Sequence, residues 1–397
     1  MNLGDLGHLT YCTNIHRGET CDEVERALRR HVPAVKARVA PDRPFGVGLR
    51  LSAAAAAALA DPERFAGLQA LLDRHGLYVF TINGFPYGPF HGQPVKETVY
   101  RPDWRDDARL VYTDALADLL VRLLPPGLTG SISSVPGSFK PWITAPDDVE
   151  AMVERLVRHA GHLVRLRDET GRTVVLALEP EPCCFLETVA ETAAFFHEHL
   201  FAPAAVSRLA ATTGLGRGEA EEALRRHLGV CLDLCHAAVE FEDPDMMLDT
   251  LHAAGIPIAK IQLTAGLMLP DVGPEPAAVL RPFADAVYLH QVVERGPAGI
   301  RRFTDLDAAI AAGGGHDREW RVHFHVPLFL NDLGAFGSTR YFTAAVLARH
   351  RRRPLSPHLE VETYTWEVLP EAQRTPDVAT GIARELAWVM RQLALAA

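Results

Sequence analysis

Short apolar runs alternate with longer amphipathic stretches almost from the start of the chain. Residues 9–14, 45–51, 77–83, 131–135, 173–178, 230–234, 259–263 and 359–364 are brief and apolar on both faces. That pattern fits parallel strands covered on each side. The stretches between them have helical period. After Thr20-x-x-Glu23, a capping-box pattern, Val24, Leu28, Val32 and Val35 keep one face apolar. Asp61-Pro62 opens a second helix, residues 106–124 a third, and Thr144-Ala-Pro-Asp147 one whose apolar stripe begins at Val149 and Met152. The last helix starts at Thr375-Pro376 and carries Val378, Ile382, Leu386, Val389 and Leu393 on one face.

Eight such alternations predict a (β/α)8 barrel formed by residues 1–397 as a single domain. An open doubly wound sheet is the alternative, weakened because no Gly-x-Gly-x-x-Gly follows the first strand. Residues 264–357 break the rhythm. They are expected to be an insertion between the seventh and eighth strands, with strand-like pieces at 287–293 and 321–328. Residues 84–104 form a long loop whose first part, Gly84-Phe-Pro-Tyr-Gly-Pro-Phe-His91, is too apolar to be washed by solvent. It is expected to cover the barrel mouth or to pack on its rim.

The 397 residues include 40 Lys and Arg against 50 Asp and Glu, a formal net charge of −10, and 48% are hydrophobic. A large core is assured, and the acidic balance argues against a nucleic acid as the main partner. No apolar stretch is long enough to span a bilayer. The first residues lack the charged-then-apolar pattern of an export signal. The six cysteines contain no Cys-x-x-Cys pair and read as small hydrophobes in a reducing compartment, so a cytoplasmic location is expected. Neither a Gly-x-Ser-x-Gly elbow nor a phosphate-binding Gly-x4-Gly-Lys loop is present.

In a barrel, reactive groups collect at the C-terminal ends of the strands. Read in order, those ends offer Asn14 and His16, Arg50, Asn83, Ser133 and Ser134, Glu179 and Glu181, Asp233 and His236, Gln262, and finally Glu360 and Glu362. Acidic groups stand where a buried position should be apolar. Unpaired buried carboxylates are costly, so a divalent cation is the economical partner. Glu179, Asp233, Gln262 and Glu362 would give an oxygen-rich shell suited to Mg²⁺ or Mn²⁺. With His236 added, Zn²⁺ is equally reasonable. Asp233 capping the next helix, with His236 a core histidine, is the bland alternative. Pro180 is expected to end the fifth strand and leave Glu181 at the rim, and Glu360 is expected to pair with Arg50. His323 and His325, at i and i+2, share a strand face and can both reach a metal or a bound anion. His290 and His16 are weaker candidates, and His91 belongs to the loop over the mouth.

Leu176-Ala-Leu-Glu-Pro-Glu-Pro182, Cys231-Leu-Asp-Leu-Cys-His236 and Leu359-Glu-Val-Glu362 resemble the fifth, sixth and eighth strands of xylose isomerase-like barrels. That superfamily contains sugar isomerases, sugar epimerases and endonuclease IV. Leu9-Thr-Tyr-Cys-Thr-Asn-Ile-His16, Thr81-Ile-Asn-Gly-Phe-Pro-Tyr-Gly88 and His323-Phe-His-Val-Pro327 more closely resemble the EboE family, the barrel proteins of Ebo metabolite-traffic gene clusters. The superfamily resemblance implies a metal on Glu179, Asp233, Gln262 and Glu362, with His236 touching substrate or metal. Asn83 and Ser133–Ser134 stand where the endonuclease has histidine ligands, which speaks against a trinuclear zinc centre. The Ebo resemblance implies a small-molecule metabolite and membrane-protein partners of the same operon.

Together these point to a metal-dependent isomerase or epimerase for a small polyhydroxylated or hydroxycarbonyl compound. Glu179 and Glu362 would move the proton, His236 would hold a substrate oxygen, and Asn14, His16, Asn83, His91, Ser133, His323 and His325 would contact substrate. A metabolite-binding protein without turnover is the second reading, and phosphodiester cleavage a more distant third.

Overall fold

The computed structural model describes residues 1–276, 280–284, 286–331, 333–369 and 374–395. Seven parallel strands precede the irregular segment: β1 (His8–Tyr11), β2 (Phe45–Arg50), β3 (Leu77–Asn83), β4 (Gly130–Ser134), β5 (Val174–Leu178), β6 (Leu228–Asp233) and β7 (Ile258–Leu263). Five short strands follow: β8 (Leu267–Leu269), β9 (Val292–Gly296), β10 (Gly299–Phe303), β11 (Glu319–Val322) and β12 (Gly337–Ser338). β13 (His358–Val361) then returns to the first sheet. The order around that sheet is β1-β13-β7-β6-β5-β4-β3-β2. β1 and β2 approach through a single bridge, Cys12 to Gly48, so the eight strands make a nearly closed barrel. The expected (β/α)8 architecture is therefore observed.

Helix ends follow the local chemistry. Thr20 and Glu23 form a reciprocal capping box at the helix Cys21–Val39. Asp61 caps Pro62–His75 at one end, and Gly76 closes the other in the left-handed conformation. Pro146 opens the longest helix, Pro146–Thr170. Among the described residues, no helix is long and apolar enough to cross a membrane. All six cysteines are buried and unbridged.

Two sequence expectations change here. The first strand is shorter than residues 9–14, because Thr13–Ile15 turns as a 3-10 segment that carries Asn14 over the barrel end. The 264–357 segment holds more than two strands: β8 to β12 form a separate antiparallel sheet in the order β10-β9-β11-β8-β12. Residues 323–328 leave the strand pattern after β11 and run back over the barrel, where the Val326 N–H donates to Ala265 O.

Register brings the acidic strand ends together. Asp233 lies beside Gln262 across the β6–β7 ladder, and Gln262 lies beside Glu360 across β7–β13. Register partners in a parallel sheet face the same way, so these side chains turn into the barrel as one layer. Lys260, two residues before Gln262, faces inward one layer below and is ion-paired with Glu360, both fully buried.

Candidate functional site

At the C-terminal end of the barrel a small cavity opens onto Glu179, Glu181, His236, His323, His325 and Glu362. Asp233 lies beside the lining carboxylates Glu179 and Glu362 and is held there by its own capping role. One carboxylate oxygen, Oδ1, accepts from the Cys235 and His236 N–H groups at 2.8 and 3.1 Å and from Thr264 Oγ1 at 2.7 Å. The other, Oδ2, is buried without a partner. The capping alternative is thus correct for one oxygen and leaves the second free for the site.

The same orphaning recurs around it. Glu179 Oε2, both amide atoms of Gln262 and His325 Nε2 are buried and unpartnered. Glu179, Asp233 and Glu362 each offer an oxygen, and the three lie within 4.8 Å of one another. Glu362 Oε1 accepts from Asn14 Nδ2 at 2.6 Å and from Asn83 Nδ2 at 2.8 Å, which fixes the carboxylate's orientation. Burial, and then the Glu362 and Asp233 charges, push the Glu179 carboxyl well above its ordinary range; burial and then Asp233 do the same to Glu362. Leaving such acids buried and close together costs several kcal/mol each unless a cation or protons neutralise them.

The histidines make a second set of donors. His236 gives its Nδ1 proton to Pro180 O at 3.0 Å, His323 gives its own to Gln291 Oε1 at 2.7 Å, and His325 Nδ1 is held by Glu362 O. Each ring therefore keeps its Nε2 for another contact: those of His236 and His323 lie 3.0 Å apart, Tyr364 OH is 3.5 Å from His323 Nε2, and His325 Nε2 has no partner. Burial lowers the His323 pKa well below its usual value and that of His325 to about 4, so both rings are neutral. Asp233, His236 and His325 form one close group of donors; Glu181, His236 and His323 form another. Oxygens from carboxylates and an amide, with nitrogens from imidazoles, are a donor set that fits a divalent ion of the Mg²⁺, Mn²⁺ or Zn²⁺ kind.

Several sequence expectations are corrected. Glu181 is not at the rim: the chain turns back after Pro180, with Cys184 N–H donating to Glu181 O, and Glu181 is buried. Its carboxylate accepts from Tyr100 OH at 2.7 Å and Gln291 Nε2 at 3.0 Å. Glu360 pairs with Lys260 rather than Arg50; Arg50 instead binds Glu19 at 2.9 Å and Gly18 O. His16 stands outside the cavity, stacked on His31 with centroids 4.1 Å apart and bonded to Tyr11 OH. Ser133 lies below it, with its Oγ 3.4 Å from Lys260 Nζ. Ser134 Oγ accepts from Trp104 Nε1. His91 sits at the edge, bonded to the Asn14 carbonyl and to Tyr288 OH. His290 supports the site from behind, donating through Nδ1 to His323 O at 2.9 Å.

Sequence reasoning missed Tyr100, Gln291, Tyr364 and Lys260. Lys260 left a readable signal, a lysine two residues from Gln262 in an otherwise apolar strand. Tyr100 and Gln291 left none, because their placement depends on loops.

No protein-family model and no curated protein matches the sequence. Solved structures match over nearly the whole length. A xylose isomerase-like TIM barrel protein from Mycobacterium smegmatis, crystallised in complex with magnesium, aligns with a TM-score of 0.52 and 11% identity over 98% of each chain. The IOLI protein with a bound zinc atom aligns at 0.48 and 11% identity, over 97% of this chain and 99% of its own. A D-tagatose 3-epimerase-like protein aligns at 0.45 and 10% identity, over 98% and 97%. The fold is that of the xylose isomerase-like barrels. Among these neighbours, magnesium and zinc each occur.

Proposed function

We propose that this protein is a divalent-metal-dependent isomerase or epimerase acting on a small polyhydroxylated or hydroxycarbonyl metabolite. The observation that carries this reading is the set of buried, unpartnered atoms on Glu179, Asp233, Gln262 and His325, which converge beside Glu362. Glu179, Asp233, Gln262 and Glu362 would hold the ion, with His236 as a further ligand or a substrate contact. When bound, the ion polarises a carbonyl and acidifies the adjacent C–H.

The remaining chemistry belongs to the chain. Glu179 and Glu362, from strands three apart around the barrel, take the proton from one face of the substrate carbon and return it to the other. Asn14 and Asn83 hold the Glu362 carboxylate in place for that transfer. Neutral His323 and His325 accept hydrogen bonds from substrate hydroxyls. The 84–91 loop and residue Tyr288 exclude water. His16 and Ser133 have no part in this reading.

The 9–16, 81–88 and 323–327 motifs support an assignment to Ebo-type metabolite production and traffic, in the cytoplasm, with membrane-protein partners of the same operon. In this reading the chain is one barrel domain whose 264–357 insertion supplies the two histidines.

The test uses Mn²⁺-loaded protein, a panel of ketoses and hydroxycarbonyl acids, and D₂O as solvent. Deuterium should enter the carbon beside the carbonyl of the true substrate. Glu179→Gln and Glu362→Gln should each slow that exchange by about 10²–10⁴. Ligand-dependent stabilisation without exchange would favour a binding protein instead, and full exchange in both variants would overturn the assignment of roles.

A further inference from the structure

The cavity lining is of two kinds, acidic and aromatic, and resting on the metal-dependent reading above, we infer that its substrate joins a chelating pair of oxygens to an apolar, aryl-sized arm and carries no phosphate. The floor is polar and acidic. The rest of the lining includes a separate cluster of Phe90, Val95, Tyr288 and Tyr364, each nearly buried, with Val99 packed against it and the Tyr364 ring adjoining His325 at a centroid distance of 4.6 Å. The rings of Phe90, Tyr288 and Tyr364 touch pairwise at centroid distances of 5.0–5.4 Å. This wall comes from the long third loop, from the insertion and from the chain after β13, three segments added to the barrel frame.

A phosphate would find little to hold it. Among the described lining residues Lys96 is the one Lys or Arg, and it is ion-paired with Asp305 at 2.7 Å. The side-chain amides of Asn14 and Asn83 are committed to Glu362, and the Tyr100 hydroxyl is committed to Glu181. Glu179, Glu181 and Glu362 would repel a dianion across the same small space. A sugar tail rich in hydroxyls would meet a wall whose polar atoms are two tyrosine hydroxyls, that of Tyr288 bonded to His91 and that of Tyr364 3.5 Å from His323 Nε2, and would leave most of its hydrogen bonds unmade. A flat hydrocarbon ring would stack there and release water from the wall.

Three hydroxamates share one chelating head and differ only in the arm: acetohydroxamate, benzohydroxamate and phosphoglycolohydroxamate. Each is titrated calorimetrically into the Mn²⁺-loaded protein. Benzohydroxamate should bind at least about tenfold tighter than acetohydroxamate, from the extra apolar surface buried. Phosphoglycolohydroxamate should bind no tighter than acetohydroxamate. Phe90→Ala should shrink the benzohydroxamate advantage to about threefold or less and leave acetohydroxamate unchanged. Preference for the phosphate arm, or equal binding of the methyl and phenyl arms, would overturn the inference while the metal-dependent reading stands. Failure of all three to bind would overturn both.

Discussion

The Nε2 atoms of His236 and His323 face each other at 3.0 Å, although both rings have already given their Nδ1 protons to oxygen acceptors. Two lone pairs at that separation repel. A cation between or beside them removes the repulsion, and the Glu181 carboxylate close by adds an oxygen to the same group. His236→Ala and His323→Ala should each weaken Zn²⁺ binding by on the order of 10–100-fold, measured by competition with a chromogenic chelator. Unchanged affinity in both would mean that a shared proton holds the pair.

Metal binding at this site should depend steeply on pH. In the metal-free protein, burial and mutual repulsion hold Glu179 and Glu362 protonated well above the ordinary carboxylate range. The folded state then keeps protons that the unfolded chain has lost, so its stability falls as pH rises above that ordinary range. A divalent ion must displace those protons, so its affinity rises over the same interval. The gain in melting temperature on adding Mn²⁺ should be larger near pH 8 than near pH 5.5, by scanning calorimetry. An equal gain at both values would place the ion on groups other than these carboxylates.

The barrel was legible because its strands are apolar on both faces, and that pattern has few other uses. Glu179, Asp233, Gln262 and Glu362 were legible because a polar group at the end of such a strand stands out. What could not be read was placement that depends on irregular backbone. Pro180 marks the end of β5, but nothing in the sequence says that the next turn sends Glu181 inward rather than out. His16 is the weaker sequence candidate and His323, paired with His325 on one strand face, the stronger, but neither position could be read from the sequence. The chain after β11 folds back over the mouth and carries His323 in, whereas the turn after β1 leaves His16 stacked on His31. Arg50 was a plausible partner for Glu360 by charge alone, but Lys260 reaches it from the adjacent strand, one inward layer below.

That pair invites a double-variant comparison. Burial alone would lower the Lys260 pKa, yet the Glu360 carboxylate beside it holds it above the ordinary value. Lys260→Met leaves Glu360 buried and uncompensated and should cost about 3–5 kcal/mol in urea unfolding. Lys260→Met combined with Glu360→Met removes both charges and should recover all but about 1–2 kcal/mol. A double variant as unstable as the single one would show that the pair is needed for more than its own neutrality. The pair leaves no room at β2, since a Cβ on Gly48 would stand 1.8 Å from Glu360 Oε1 and 2.8 Å from Tyr11 O. Gly48→Ala should therefore destabilise the barrel by about 3 kcal/mol or more, because backbone on the second side cannot yield.

Glu385, on the closing helix Val378–Gln392, offers a pH test away from the cavity. It is fully buried, and one carboxylate oxygen accepts from Leu328 N–H at 3.1 Å and Thr363 Oγ1 at 2.6 Å. The other oxygen has no partner. Burial pushes its pKa from 4.5 up to about 7, against the pull of those two hydrogen bonds. The folded protein therefore holds a proton that the unfolded chain gives up near pH 4.5, and stability declines as pH rises from there to about 7. Glu385→Gln keeps the oxygen that accepts both bonds and cannot ionise. The loss of unfolding free energy between about pH 5 and pH 8 should shrink by on the order of 3 kcal/mol in this variant. The comparison of slopes is what decides, because the orphaned amide of the glutamine lowers stability equally at every pH. An unaltered slope would mean that Glu385 is already ionised in the folded protein near pH 5.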